Sequence, residues 1–228
     1  MQFGIIRTIG VILFLYLTWR NSREDFEDDK LISYSWVSLL AFLIGGRLAF
    51  GLINWGVWND SIASWFLVWQ KPGMNYMGGY LVWFMASWWY ANNNKWKVWS
   101  FMEDSIVNFG VMMAFFIGDE LLRSNFNLTA ASVLMVLMII GVLTMIVSKK
   151  YRSYVWYKSG KKGFIFFFTN VLFWLFLALK GVLFKDGYFI SGIYLTVGLI
   201  SLIGLFILGE VLDIKFLNVV GMRRKNEK

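Results

Sequence analysis

Seven long apolar runs separated by short polar connections organise this chain. They cover about residues 3 to 19, 33 to 55, 78 to 91, 99 to 121, 128 to 148, 164 to 184 and 188 to 209. A bilayer core about 30 Å thick is crossed by roughly 20 apolar residues in helical form, so the pattern predicts seven spanning helices. The third run, at about fourteen residues, predicts a helix that is tilted into protein or draws on the loop before it. A further piece, "SIASWFLVW" at 61 to 69, is too short to span and reads as re-entrant or interfacial. The longest polar connections run to about fifteen residues, which leaves no room for a soluble domain. Residues 1–228 therefore read as a single transmembrane helical domain of the all-α class, a polytopic membrane protein.

Composition agrees with that pattern, at 58% hydrophobic and 20% aromatic residues with one proline. Charge adds orientation. The net charge of +8 is not a nucleic-acid footprint, because its distribution follows the membrane. Connections 20–32, 92–98, 149–163 and the C-terminal tail carry sixteen Lys and Arg, whereas the opposite side carries four: Arg7, Lys71, Arg123 and Lys185. Arg47 and Lys180 lie within the apolar runs. The asymmetry predicts an outer N-terminus and a cytoplasmic C-terminus. No small-residue cleavage site follows the first run, so it reads as an uncleaved helix. Many tryptophans, such as Trp19, Trp88, Trp89, Trp96 and Trp99, fall near helix ends, as interfacial anchors do. The mixed segment "NSREDFEDDK" reads as a solvated loop whose carboxylates begin the second helix.

The chain has no cysteine and no histidine, so thiolate and imidazole chemistry and the usual zinc or haem ligands are excluded. No metal or cofactor is expected. Attention falls on "LIGGRLAFGLIN", Leu43 to Asn54, where Arg47 stands inside an apolar run behind two glycines. A charge near a helix centre costs roughly 2.5 to 3.5 kcal/mol on insertion scales, so Arg47 should face protein, water or a headgroup. Arg47, Gly51 and Asn54 share one helical face. Two roles remain open for the guanidinium: an ion pair with a carboxylate of the fourth helix, or capture of a phosphate. The fourth helix offers Asp104, Asn108, Val111, Phe115 and Asp119 as one stripe, with Glu103 and Glu120 beside it. In the loop "QKPGMNYMGGYL", Gly78 and Gly79 open the third helix, where backbone N–H groups can converge on an anion or simply form a tight turn.

In order and spacing these features resemble the prolipoprotein diacylglyceryl transferases of bacterial membranes. "IGGRLAF" is similar to that family's Gly-Ala-Arg-Leu motif, and "WQKPGMNYMGGYL" to its Trp-x-Gly-Gly-Met-Ser-Phe-His-Gly-Gly loop. "GVMMAFFIGDELL", Gly110 to Leu122, occupies the place of its Gly-Arg-x-Gly-Asn-Phe-x-Asn-Gly-Glu signature. The resemblance implies transfer of diacylglycerol from phosphatidylglycerol to the cysteine thiol of a lipoprotein precursor. It also implies an anionic phospholipid and that precursor as partners. Arg47, Gly78, Gly79 and Asn54 would then hold the lipid phosphate, with Lys180 near a late arginine of the family, and Tyr76, Asp119 and Glu120 would be the catalytic groups. The departures are specific. The family's histidine falls on Tyr76, its arginine on Val111 and its two asparagines on Ala114 and Ile117. Its extracytoplasmic head segment has no counterpart, since only about 122 to 127 separates the fourth and fifth helices. General acid–base groups typically contribute about 10²- to 10⁴-fold in rate. The alternative is therefore a catalytically inactive relative that binds phospholipid or a membrane partner through the same cavity.

Overall fold

The computed structural model describes residues 4–54, 74–123, 128–154, 157, 159, 161–183 and 188–209. Among them are seven α-helices: α1 (Ile5–Ser22), α2 (Asp28–Ile53), α3 (Tyr76–Asn93), α4 (Val98–Arg123), α5 (Leu128–Ser148), α6 (Phe164–Leu183) and α7 (Tyr188–Leu208). Each coincides with one of the seven apolar runs, and no strand occurs among the described residues. Five of them contain a stretch long and apolar enough to cross a membrane: α2, α4, α5, α6 and α7. The piece at 61 to 69, Lys71 and the basic tail lie outside the described residues.

The chain divides into two compact units, Met1–Leu134 and Met135–Lys228. In the first, α1 packs mainly along α4, and α2 along α3. Asp28 and Asp29 occupy the first turn of α2, where carboxylates favour the helix dipole, as expected from the acidic loop. The α2–α3 crossing depends on glycine. A methyl at Gly78 would run into the Ala49 side chain, and one at Gly79 would sit 2.7 Å from the Phe42 ring. Lipid tails are as apolar as leucine, so helices in a membrane associate through close packing rather than through exclusion of water.

An aromatic tier fills the space between these helices. Trp83 of α3 stacks on Phe109 of α4 at 4.2 Å between centroids, and Phe42 of α2 meets Phe109 and Phe116 edge-on at 5.2 and 5.7 Å. Such pairs are worth about 0.5–1.5 kcal/mol each beyond their burial. Towards the other end, the Tyr34 hydroxyl and Ser87 Oγ share a buried hydrogen bond of 2.9 Å between α2 and α3. Trp96 is more than an anchor, since its ring packs against Phe26, Tyr90 and Phe101 where the α1–α2 and α3–α4 turns meet.

In the second unit, α6 and α7 form a closely packed pair. Fully buried Trp174 donates its Nε1–H to Asn170 Oδ1 at 3.0 Å, and Asn170 in turn donates to the Phe166 carbonyl. Thr144 of α5 and Thr169 of α6 are hydrogen-bonded at 3.3 Å.

Candidate functional site

Local sequence builds the start of α3. Asn75 is its N-cap, and its side-chain oxygen accepts the Gly78 N–H at 2.8 Å, the usual service of an asparagine at this position. The Gly79 N–H donates to the Asn75 carbonyl at 3.0 Å. Both glycine amides are thus engaged within the chain, while their missing side chains admit α2. The Asn75 N–H donates to the Gly46 carbonyl at 2.9 Å, which ties the entrance of α3 to the turn of α2 that carries Arg47. Arg47 and Tyr76 are therefore sequence neighbours of the two residues joined by this bond. Arg47 is 5% exposed, and Gly51 of the same face is also buried. Asn54 is the C-cap of α2 and donates its side-chain amide to the Phe50 carbonyl at 2.8 Å.

Tyr76 brings α3 to α4. Its hydroxyl donates to Glu120 Oε2 at 2.7 Å. One residue earlier, Asp119 is 4% exposed and meets Arg7 of α1, with Nε 2.7 Å from Oδ2. The Arg7 N–H does not align with that oxygen, so the contact is an ion pair rather than a linear hydrogen bond. The same guanidinium lies over the Phe116 ring, 5.7 Å from its centroid. The charges of Glu120, Arg7 and Asp119 all act on the Tyr76 hydroxyl, so the four groups form one electrostatic cluster. Tyr76 precedes the apolar run that starts at Gly78. Burial, followed by the hydrogen bond and charge of Glu120, raises its pKa well above 10.0. At neutral pH the phenol is a hydrogen-bond donor, not a base.

Tyr76, Asp119 and Glu120, expected to act together, do meet. The stripe of α4 that contains Asp119 faces α1: besides the Arg7 pair, Asn108 Oδ1 accepts from Asn21 at 2.9 Å. Asp119, considered above as a partner for Arg47, is engaged by Arg7. Lys180 stands in the last turn of α6, in the second unit. Arg7 itself had counted only towards topology. Its signal was its depth: it is the third residue of α1, and Asp119 lies in the last two turns of α4, so antiparallel packing sets them at one level. Val111, where the arginine of the third motif would stand, is half-buried on α4, eight residues before Asp119. At 1.5 Å per residue that is about 12 Å along the helix, so Arg7 does not take over the position of Val111.

The prolipoprotein diacylglyceryl transferase family model matches residues 1–197, most of the chain. The chain belongs to the prolipoprotein diacylglyceryl transferase family. No curated protein matches it. As a member of this lipoprotein-modifying transferase family with several spanning helices, it is a multi-pass membrane protein. The match includes the turn of Arg47, the glycine-opened α3 and the α4 segment with Asp119 and Glu120.

Proposed function

We propose that this chain is a divergent prolipoprotein diacylglyceryl transferase at the outer face of the bacterial plasma membrane, moving diacylglycerol from phosphatidylglycerol to a lipoprotein cysteine. The observation that carries the reading is the gathering of Tyr76, Glu120, Asp119 and Arg7 from three helices, next to the turn that holds Arg47. In the reaction a carbon–sulfur bond forms and the carbon–oxygen bond to phosphate breaks. Glycerol phosphate leaves with that electron pair, and the thiol proton goes to a base. Glu120, exposed and already a hydrogen-bond acceptor, is assigned as that base, with Tyr76 holding it in place. Arg47 is assigned the lipid phosphate, because a guanidinium fork matches phosphate oxygens and stabilises charge on them in a low-dielectric site. Asp119, paired with Arg7, positions α4 beside the site. Asn54 borders the phosphate site, and Gly78 and Gly79 bring the start of α3 close to the turn of Arg47.

Reconstituted protein with labelled phosphatidylglycerol and a lipobox peptide should yield a lipidated cysteine. Arg47→Ala should abolish the product, with partial recovery in Arg47→Lys. Glu120→Gln should reduce the rate about 10²- to 10⁴-fold. Failure of the wild type to form product across a range of pH and lipids would overturn transfer. One observation favours the second reading, an inactive lipid-binding relative: Val111 places an apolar side chain where the family's third motif has arginine. Phosphatidylglycerol binding that depends on Arg47, without turnover, would establish that reading instead.

A further inference from the structure

Arg7 counted in the sequence only towards topology, yet its surroundings are those of a ligand-binding cation. Two contacts fix the guanidinium. Its Nε lies 2.7 Å from Asp119 Oδ2, and its carbon centre stands over the Phe116 ring, 5.7 Å from the centroid. Both supports are buried, Asp119 at 4% and Phe116 at 1% exposure. The Nε atom is enclosed with them, whereas the side chain as a whole keeps 29% of its surface open. The two Nη groups are not enclosed and donate to no described residue. A guanidinium carries its donors in a rigid planar fork, and here the outer pair of nitrogens remains to be used. A fork already held on two sides loses little further freedom when it binds.

Those donors border the proposed chemistry. The Arg7 charge reaches the Tyr76 hydroxyl, which donates to Glu120 Oε2 at 2.7 Å, and Glu120 is exposed. Charge balance points the same way. With Asp119 and Glu120 ionised, Arg47 alone would leave the site negative before any phosphate arrived; Arg7 brings the sum of these four groups to zero. A phosphodiester carries one negative charge, and the phosphate monoester that leaves carries close to two near pH 7. As Glu120 takes the thiol proton, the sum of the four groups rises by one, matching the charge that the leaving phosphate gains.

We infer that Arg7 is a phosphate ligand of this site, its Nη groups taking the phosphate ester of the lipid while Asp119 and Phe116 hold the fork in place. The inference rests on the site proposed above, but it concerns binding and does not require turnover.

The full chain in detergent micelles doped equally with phosphatidylglycerol and the diacylglycerol of the same acyl chains should retain the phosphatidylglycerol preferentially, as read by native mass spectrometry. Arg7→Ala combined with Asp119→Ala removes a cation and an anion together, so the net charge of the site is unchanged and no charge is left unpaired. It should lower the preference at least about tenfold, the lower end of what a hydrogen bond to a charged group contributes. Wild-type preference in this variant, or none in the wild type, would overturn the inference. Where the double variant does not accumulate as folded protein, Arg7→Lys decides. It keeps the charge opposite Asp119 and lacks the fork, so the preference should fall by a smaller factor, and an unchanged preference would overturn the inference. Soluble glycerol phosphate, measured on the same proteins, separates the two sources of a phosphate ester: dependence on Arg7 for that ligand alone would overturn the assignment to lipid. A wild type that retains phosphatidylglycerol through Arg7 but forms no lipidated peptide would set aside transfer and leave this inference standing.

Discussion

The α2–α3 crossing and the C-terminal end of α4 lie in the same unit, yet they are maintained by different physics. At the crossing the family motifs persist as "GGR" and "GGY", and the contact is steric: two backbones meet where no side chain intervenes. At the end of α4 the motif has lost its arginine and asparagines, and the contact is electrostatic, through Arg7–Asp119 and Tyr76–Glu120. A packing contact survives only if the residue stays small. An electrostatic contact can draw its partner from a segment distant in sequence, as Asp119 does with Arg7 of α1.

The largest expected effect comes from breaking the electrostatic side. Arg7→Ala leaves Asp119 buried without its cation and should cost about 3 kcal/mol. Thermal unfolding in detergent reads it, and Arg7→Ala with Asp119→Ala together should recover much of the loss, because no charge is then left unpaired. The steric side comes next: Gly78→Ala forces α2 and α3 apart at Ala49 and should cost about 1–3 kcal/mol by the same measurement. An equal cost for Ser87→Ala, whose hydroxyl meets Tyr34 further along the same two helices, would remove the special standing of the glycines. A hydrogen bond between membrane helices averages about 0.6 kcal/mol, which is the expected loss there.

A titration sharpens the comparison further. The Tyr76 phenol has a folded pKa raised above the unfolded value of 10.0. Its contribution to stability is complete below pH 10 and is lost as pH rises through the folded value, because only the unfolded phenol ionises in between. Tyr76→Phe should therefore flatten the alkaline fall in stability above pH 10 and cost about 1 kcal/mol at neutral pH. A second loss centred near neutrality that disappears in Tyr76→Phe would show that the phenol is a base, contrary to the donor role derived above.

The helices were legible because hydropathy is a local property: each apolar run became a helix with ends shifted by a few residues. The motifs pointed to two turns, around Arg47 and Tyr76, that a backbone hydrogen bond joins in the fold, since the glycines that permit close approach are adjacent in sequence to the polar groups they admit. Spacing alone left two questions open at those turns. The amides of Gly78 and Gly79 were open to an anion or to a tight turn, and the side chain and carbonyl of Asn75 take them. The carboxylate stripe of α4 was considered as one of two possible partners for Arg47, and spacing gave no hint that Asp119 meets Arg7 and Asn108 meets Asn21 of α1.

The sequence by itself determined the seven helices, the charge asymmetry and the family to which the chain belongs, because length, apolarity and motif order are written in single segments. Only the tertiary structure decided that Arg7 meets Asp119, that Tyr76 donates to Glu120, and that Tyr151 and Tyr157 pack on Phe164. Each joins groups whose separation along the chain says nothing of their depth or direction. A charge reveals what it could attract; packing chooses the partner.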